Sequence, residues 1–113
     1  MLKQMEKIFK ALGDKNRLRI LNMLRDSPMC VCEITDVLSL SQSTVSGHLR
    51  VLKEAGLIED AKDGLWVEYR LSPDEKIKKE LLKIIEQAGN QDKNLEKERQ
   101  LALRADRQVL CKK

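Results

Sequence analysis

A change of hydrophobic period between residues 32 and 71 constrains the fold of this chain more than any other feature. Apolar residues recur every three or four positions as far as residue 55, as on one face of a helix. Beyond it, β-prone segments lie on either side of Asp63-Gly64, a strong hairpin turn. The predicted segments are helices at 32–38 and 42–55, a turn at 39–41, and strands within 57–59 and 65–71. Two helices joined by a short turn and followed at once by a hairpin predict a winged helix–turn–helix.

Helical patterns also flank this motif on both sides. Gly13 predicts a left-handed stop for the first helix, Asp14 a cap for the second, and Pro73 the first turn of the helix after the hairpin. The flanking helices are predicted at about 3–12, 15–26, 73–88 and, in a charged tail, 92–110. The fold class is therefore mainly α with a small β-hairpin (α+β). We expect one domain at 1–89 and a helical tail at 90–113.

The length and composition limit the assembly and the location of the protein. The 113 residues fit one small domain, and a monomer of this size buries only about two-thirds of its unfolded surface. A second subunit would therefore help, and the apolar stripes of the first helix and of the helix after the hairpin exceed the needs of one small core. No apolar run approaches the roughly 18 residues of a membrane span, and the start of the chain has no secretory pattern. We expect a homodimer in the cytoplasm with no membrane partner.

The second helix of the motif carries short hydrogen-bonding side chains near its N-terminus. Such a helix fits end-on into the major groove of double-stranded DNA, where Gln can bond adenine, Arg guanine, and Ser or Thr a base edge or phosphate. The candidate DNA contacts are Gln42, Ser43, Thr44, Ser46, Gly47 and Arg50, with Lys62 at the tip of the hairpin. The alternative is an ordinary capped helix face in solvent. His48, between Val45 and Leu49, is interpreted as a partly buried packing residue.

The charge distribution argues against DNA binding, but it does not overturn the prediction that rests on the helix–turn–helix. The net charge is +4, from 22 Lys and Arg against 18 Asp and Glu, yet residues 41–70 hold four cations and five acids. Because phosphate neutralisation by cations dominates DNA affinity, a basic surface has to be assembled from several segments, with Arg17, Arg19 or Arg25 as contributors. A winged-helix module that binds proteins instead of DNA remains an alternative.

Two cysteines flank Val31 at the start of the third predicted helix. Residues i and i+2 of a regular helix lie about 200° apart, so Cys30 and Cys32 are predicted to act together only if the first turn is unwound. A soft ion that clamps both sulfurs would then disturb the helix–turn–helix. The positive field of a helix N-terminus is expected to lower the pKa of these thiols. Cys111 is a candidate third ligand or a free thiol on a frayed terminus, and the alternative for the pair is two small buried hydrophobes.

The remaining chemistry argues against an enzyme. The cysteine spacing is not the C-x-x-C of thiol redox motifs. A tetrahedral zinc site needs four ligands, and His48 is the only histidine of the chain. The chain lacks a βαβ pattern, a general base beside either cysteine of the pair and a glycine loop for phosphate. A small thiol enzyme is therefore the least favoured class, and no organic cofactor is expected.

Five groups of residues carry a resemblance that covers roughly residues 4–88. They are FKALGD (9–14) with RLRIL (17–21), MCVCEI (29–34), SQSTVSGHL (41–49), LKEAGLI (52–58) and GLWVEYRL (64–71). In combination they resemble the ArsR family, the arsenic-repressor branch of bacterial winged helix–turn–helix metal sensors. The resemblance implies a homodimeric transcriptional repressor that dimerises through its first and post-wing helices. It also implies that the repressor binds its own promoter and releases it when As(III) or Sb(III) binds the cysteines.

The sequence departs from the family pattern at this metal site. Thr35 stands where many members with the Cys-Val-Cys element have a third cysteine, no cysteine precedes Cys30, and residues 74–88 contain no histidine. The resemblance therefore implies a sensor of As(III) or Sb(III), and it leaves Cys111, an exogenous thiol or no third ligand as possibilities. A repressor that senses thiol oxidation or persulfide through Cys30 and Cys32 is the alternative.

Overall fold

Residues 1–110 are described by the computed structural model, and the first five helices and the hairpin follow the predicted order. The helices are α1 (Leu2–Leu12), α2 (Lys15–Met23), α3 (Val31–Leu38), α4 (Gln42–Glu54), α5 (Lys76–Asn90), α6 (Lys93–Arg104) and α7 (Arg107–Leu110). The strands are β1 (Met29–Cys30), β2 (Ile58–Asp63) and β3 (Trp66–Leu71). A mainly helical chain with a small antiparallel sheet after the helix–turn–helix confirms the predicted fold class.

Side-chain caps explain where the central helices begin. The Asp14 carboxylate accepts the backbone N–H groups of Asn16 and Arg17, and the Ser41 hydroxyl accepts the N–H of Thr44, as expected of N-cap residues. One predicted conformation and one predicted helix boundary are wrong. Gly13 ends α1 with a φ of −83°, which is not left-handed. The helix after the hairpin begins at Lys76, so Pro73 lies outside it.

The sheet has a third strand that the sequence analysis missed. Its order is β1-β3-β2, with both pairs antiparallel, so the short β1 lies against the inner strand of the hairpin. Met29 is opposite Tyr69 and Cys30 is opposite Glu68. Two residues are too few to show an alternating pattern, and the sequence therefore contained no periodic signal for β1. The pairing connects the start of α3 directly to the hairpin, which we call the wing (residues 58–71).

The apolar core lies between α1, α2, α3 and α4 and the base of the wing. Val45, Leu49 and Leu52 of α4 are buried, as their spacing predicts. On α1 the buried positions are Ile8 and Ala11, whereas Phe9 is 53% exposed. The other large buried apolar side chains are Ile20, Leu21, Met23, Leu24, Met29, Ile34, Leu38, Leu57 and Ile58.

The C-terminal end of α4 is held by α1 and α5. Gln4 Nε2 donates a hydrogen bond of 2.9 Å to the carbonyl oxygen of Ala55, the C-cap of α4. The buried side chain of Lys78 lies beside Gly56, which has a φ of +77°. The α4 helix is therefore anchored at one end to the first helix and to the helix after the wing.

The C-terminal segment folds back onto the domain as two helices, where a single one was predicted. Asn22 Nδ2 donates 2.9 Å to the carbonyl oxygen of Leu95, and Arg19 of α2 pairs with Glu98 of α6. Ala105, in extended conformation, and Asp106 separate α6 from α7. We call α6 and α7 together the C-terminal arm. The division into units 1–89 and 90–113 stays a prediction.

Asp26 is expected to make the docking of the arm depend on pH. Arg99 donates two hydrogen bonds to this carboxylate, with Nε–Oδ2 and Nη2–Oδ1 distances of 2.7 and 2.9 Å. The hydrogen bond from Arg99 lowers the pKa of Asp26 below its ordinary value. A carboxyl with a lower pKa in the folded state stabilises it above the unfolded pKa, about 3.9, and loses that contribution as the pH falls through the folded pKa.

Thermal unfolding of Asp26→Asn tests this expectation. At pH 7 the variant should lose about 0.5–1 kcal/mol of unfolding free energy, as for a partly exposed ion pair. Below about pH 4 the difference from the wild type should shrink. Asp36→Asn, at an exposed position of α3, serves as the matched control. An Asp26→Asn deficit that is equal at pH 7 and pH 3 would contradict the assignment.

Candidate nucleic-acid interface and thiol site

The predicted DNA-contact residues of α4 share its exposed surface. Gln42, Ser43, Thr44, Ser46 and Arg50 are exposed. Half-buried Gly47 also lies on this helix, and an added Cβ at that position would meet nothing within 4 Å. The packing of the protein itself therefore does not require a glycine at residue 47. A surface that must approach another molecule closely would explain it.

The wing extends the same interface away from α4. Lys53 at the C-terminal end of α4 pairs with Asp60 of β2 at 3.0 Å, which joins the helix to the hairpin. Lys62 is exposed on β2, near the Asp63-Gly64 turn. The interface thus combines one helix face with the outer strand of the wing.

Arg17 and Arg19 of α2, and Arg25 just after it, are engaged within the protein and do not extend this surface. Arg17 Nε and Nη2 donate to the carbonyl oxygens of Ala11 and Lys10 at 2.7 and 3.1 Å. Arg19 pairs with Glu98, and Arg25 lies 3.4 Å from Glu86. The expectation that these three cations contribute to a basic DNA-binding surface is therefore wrong, because carbonyl and carboxylate groups of the protein itself hold their side chains.

His48 is half-buried, in agreement with its interpretation as a packing residue. Its Nδ1 lies 3.3 Å from Arg17 Nη1. This contact joins α4 to α2 and, through Arg17, to the C-terminal carbonyl groups of α1. We assign His48 to the support of α4.

The two cysteine sulfurs lie side by side while α3 remains regular. Cys30 is the N-cap of α3 and has extended backbone angles (φ −90°, ψ 165°), and the helix begins at Val31. The Sγ atoms of Cys30 and Cys32 are 3.2 Å apart. The prediction that the sulfurs meet only when the first turn is unwound is wrong, because Cys30 belongs to strand β1 and the helical 200° rule does not apply to it.

Burial determines the acidity of Cys30. Burial raises the pKa of its thiol above the ordinary value, and the Glu33 carboxylate raises it further. The backbone N–H of Glu33, which bonds the sulfur in a capping box, and the guanidinium of Arg107 act in the opposite direction and do not reverse the sign. The expected lowering of the pKa by the helix N-terminus is therefore wrong for Cys30.

Glu33 and Arg107 lie beside this site and were not among the predicted site residues. Glu33 Oε1 accepts the backbone N–H of Cys30 at 2.9 Å and lies 3.3 Å from Arg107 Nη2. The position of Glu33 three residues after the N-cap was a usable capping-box signal. No pattern in the sequence around Cys30 could indicate Arg107, because this residue reaches α3 from the other end of the chain.

The ligand set of the thiol site is incomplete in the part of the structure that is described. Within residues 1–110 no group of three or more His, Cys, Asp or Glu residues is arranged to hold a metal ion. The candidate soft ligands in this range are Cys30 and Cys32, of which Cys32 is disulfide-bonded in this structure and has to be reduced before it can bind a soft ion, and the candidate Cys111 lies outside the described residues. Among those residues, the buried Thr35 hydroxyl has no hydrogen-bond partner.

No helix within residues 1–110 has the length and apolar character needed to cross a membrane.

Comparisons with known proteins show transcriptional regulators that are similar to this chain, among them arsenical and cadmium resistance regulators. The family model described as "Bacterial regulatory protein, arsR family" matches residues 14–60. An HTH-type transcriptional regulator of Methanocaldococcus jannaschii is 43% identical over 81 residues, which are 71% of this chain and 89% of that protein. The arsenical resistance operon repressor of Bacillus subtilis is 37% identical over 76 residues, which are 66% of this chain and 72% of the repressor.

Two further matches differ in how much of the relative they cover. The arsenical resistance operon repressor of Escherichia coli is 46% identical over 67 residues, 58% of this chain, and the chain spans only 57% of its length. A homodimeric winged helix–turn–helix DNA-binding domain of Mycobacterium bovis, a possible ArsR-family regulator, superimposes with a TM-score of 0.69 at 26% identity. That match covers 81% of this chain and 83% of the domain.

Proposed function

Because this chain belongs to the ArsR family of transcriptional regulators, we propose that it is a metalloid-responsive repressor. It binds double-stranded operator DNA as a homodimer and releases it when As(III) or Sb(III) binds the thiolates of Cys30 and Cys32. The observation that carries this proposal is the 3.2 Å contact between the two sulfurs at the start of a helix–turn–helix. Arsenical resistance repressors among the relatives support the choice of inducer.

The exposed face of α4 is the DNA-binding surface in this proposal. Gln42 and Arg50 are the base-reading residues, since Gln pairs with adenine and Arg with guanine in the major groove. Ser43, Thr44 and Ser46 bond base edges or phosphates, and Gly47 permits close approach. Lys62 of the wing neutralises a neighbouring phosphate.

Dimerisation would cover the apolar surface that one chain leaves exposed. Leu2 and Phe9 of α1 are 81% and 53% exposed, and Ile84 of α5 is 60% exposed. Exposed apolar surface of this kind marks a site of protein contact. The homodimeric state of the Mycobacterium bovis domain supports this assembly.

The thiol pair would act on DNA binding through the cap of α3 and through the wing. Soft thiolate ligands select soft ions such as As(III) and Sb(III). Because burial raises the pKa of Cys30, metalloid binding must displace its proton. Cys30 also pairs with Glu68 of the wing, so a ligand on its sulfur acts on β1 and on the N-cap of α3 at once. For the third ligand position we propose Cys111 or an exogenous thiol, with a site of two ligands as the alternative.

Titration of the reduced protein with arsenite tests the proposal. The thiolate–metalloid absorbance and the number of protected cysteines should rise together, while labelled promoter DNA dissociates. A parallel titration with hydrogen peroxide examines the alternative, thiol-redox or persulfide sensing, which the short sulfur–sulfur distance favours. Release by the oxidant alone would contradict arsenic sensing. If the protein shows no preference for duplex DNA at low salt, the proposed interface is wrong and a protein-interaction module is favoured.

Substitution of Arg50 with alanine should weaken operator binding. Loss of one bidentate contact to a base costs about 1–3 kcal/mol, which is about 5- to 150-fold in Kd, and it should reduce discrimination against a scrambled duplex. Fluorescence anisotropy with both duplexes measures the two effects. Lys97→Ala, at an exposed position of α6, removes the same charge as a matched control. Equal Kd values for the two variants would show that Arg50 does not touch a base.

A further inference from the structure

A single guanidinium joins carboxylates from three separate elements beside the thiol site. Arg107 of α7 lies 3.3 Å from Glu33 of α3, 2.8 Å from Asp63 of β2 and 3.3 Å from Glu68 of β3. The Arg107, Glu33 and Glu68 side chains are mostly buried, at 16%, 7% and 17% exposure, whereas Asp63 is 59% exposed. We call these four residues the Arg107 cluster. Three carboxylates so close together repel one another unless a cation lies between them.

Two members of the Arg107 cluster also flank Cys30. Glu33 accepts the backbone N–H of Cys30 at 2.9 Å, and Glu68 is opposite Cys30 in the β1–β3 pair. The second oxygen of Glu68 is held by Arg70 at 2.9 Å, so Glu68 has a cation on each side. Any displacement of Cys30 therefore acts on carboxylates that Arg107 shares with the wing.

The arm that carries Arg107 has its own anchor on α2. Asn22 is completely buried and bonds the carbonyl oxygen of Leu95, and Arg99 holds Asp26 with two hydrogen bonds. These contacts lie on α6, before the break that leads into α7. Arg107 is thus presented to the wing by α7, which directly follows the helix that these contacts fix to α2.

We propose that the C-terminal arm transmits occupation of the thiol site to the wing, and that Arg107 is the positioning residue that joins them. This step deepens the proposed function and rests on it for the identity of the inducer. A metalloid on Cys30 and Cys32 shifts the N-cap and with it Glu33. Because Glu33 and the wing carboxylates share one guanidinium, the shift weakens the hold of Arg107 on Asp63 and Glu68. The wing, which carries Lys62, then loses its position against α4.

The first experiment measures the wing without metalloid or DNA. Trp66 is the only tryptophan of the chain, and it is paired with Asp63 in the hairpin. In Arg107→Gln, acrylamide quenching of Trp66 should rise about twofold, and Arg107→Lys should restore most of the wild-type value, because the charge is retained. Arg104→Gln, an exposed position at the end of α6, is the matched control on the same arm. Unchanged quenching in Arg107→Gln would overturn the proposal.

The second experiment measures transmission as the ratio of operator Kd values with and without arsenite. Arg107→Gln should bind arsenite with wild-type stoichiometry, while the ratio falls by about tenfold. Asp63→Asn, at an exposed position that does not threaten folding, should lower the ratio in the same direction. Arg104→Gln should keep it. If Arg107→Gln and Asp63→Asn release DNA as the wild type does, transmission by Arg107 is overturned.

The two experiments separate this inference from the proposed function. If arsenite binds to the wild type and releases DNA, the Arg107→Gln ratio decides the inference. If arsenite fails to release DNA from the wild type, the proposed inducer is wrong. The Trp66 measurement then still decides whether Arg107 holds the wing, since it uses neither arsenite nor DNA.

Discussion

Replacement of Cys30 and Cys32 together with serine is expected to keep operator binding within about twofold of the wild type and to abolish release by arsenite. Serine is a favoured N-cap residue, so the hydroxyl at position 30 can accept the N–H of Glu33 that the sulfur now accepts. Serine oxygen lacks the soft character that selects As(III), and the metalloid loses both ligands of the pair. Fluorescence anisotropy on promoter DNA, with and without arsenite, measures both properties.

Cys111→Ser accompanies this variant as a test of the third ligand. A lower arsenite affinity would assign Cys111 to the site, and an unchanged affinity would leave an exogenous thiol as the third ligand or none. If the double serine variant still dissociates from DNA on addition of arsenite, the inducer binds elsewhere and the proposal fails.

Gly89→Ala is expected to be the most destabilising single substitution considered. A Cβ at residue 89 would overlap the Asn22 Oδ1 and lie 3.2 Å from its Cγ. Asn22 is completely buried and bonds both Arg25 and the Leu95 carbonyl, so it cannot move without losing buried hydrogen bonds. Overpacking and the broken bonds together cost about 2–5 kcal/mol. This exceeds the gain of up to about 1 kcal/mol that alanine brings to a helix.

Thermal unfolding of Gly89→Ala and Gly47→Ala compares two glycines that lie within helices. An added Cβ at residue 47 meets nothing within 4 Å, so this variant should be neutral or more stable by about 0.5–1 kcal/mol. The Tm of Gly89→Ala should fall by about 10 °C or more. Among the folded proteins, the operator affinity of Gly47→Ala should fall and that of Gly89→Ala should stay near the wild-type value, because Gly47 lies on the proposed DNA surface. A Gly89→Ala protein as stable as the wild type would mean that α5 does not approach α2 as closely as described.

Regular hydrophobic spacing made most of the fold predictable. The buried positions of α4 follow from intervals of three and four residues, and the wing follows from β-prone segments around Asp63-Gly64. Helix starts at Asp14 and Ser41 follow from side-chain chemistry that acts over two or three residues. Each of these signals comes from residues that are close together in the sequence, and such patterns can be recognised in a single sequence.

The thiol site was harder to predict because its geometry depends on distant partners. Cys30 is extended because β1 pairs with β3, a contact between segments almost forty residues apart. Arg19 and Arg107 find their carboxylates in other elements, so a contribution to a basic DNA-binding surface was a natural but incorrect expectation for the arginines of α2. Burial, which only the folded chain determines, reverses the expected direction of the pKa of Cys30.

The anchorage of α4 at its C-terminal end has a consequence for how two subunits would meet an operator. Gln4 bonds the Ala55 carbonyl and Lys78 lies against Gly56, so the tilt of α4 is set by α1 and α5. These are the helices through which the proposed dimer assembles. The separation of the two α4 helices is therefore fixed when the subunits join, before DNA is met. In the proposed complex, the operator would therefore have to offer two half-sites at the spacing that the dimer sets; for helix–turn–helix dimers in general this is about 34–36 Å, one turn of the duplex, or a multiple of it.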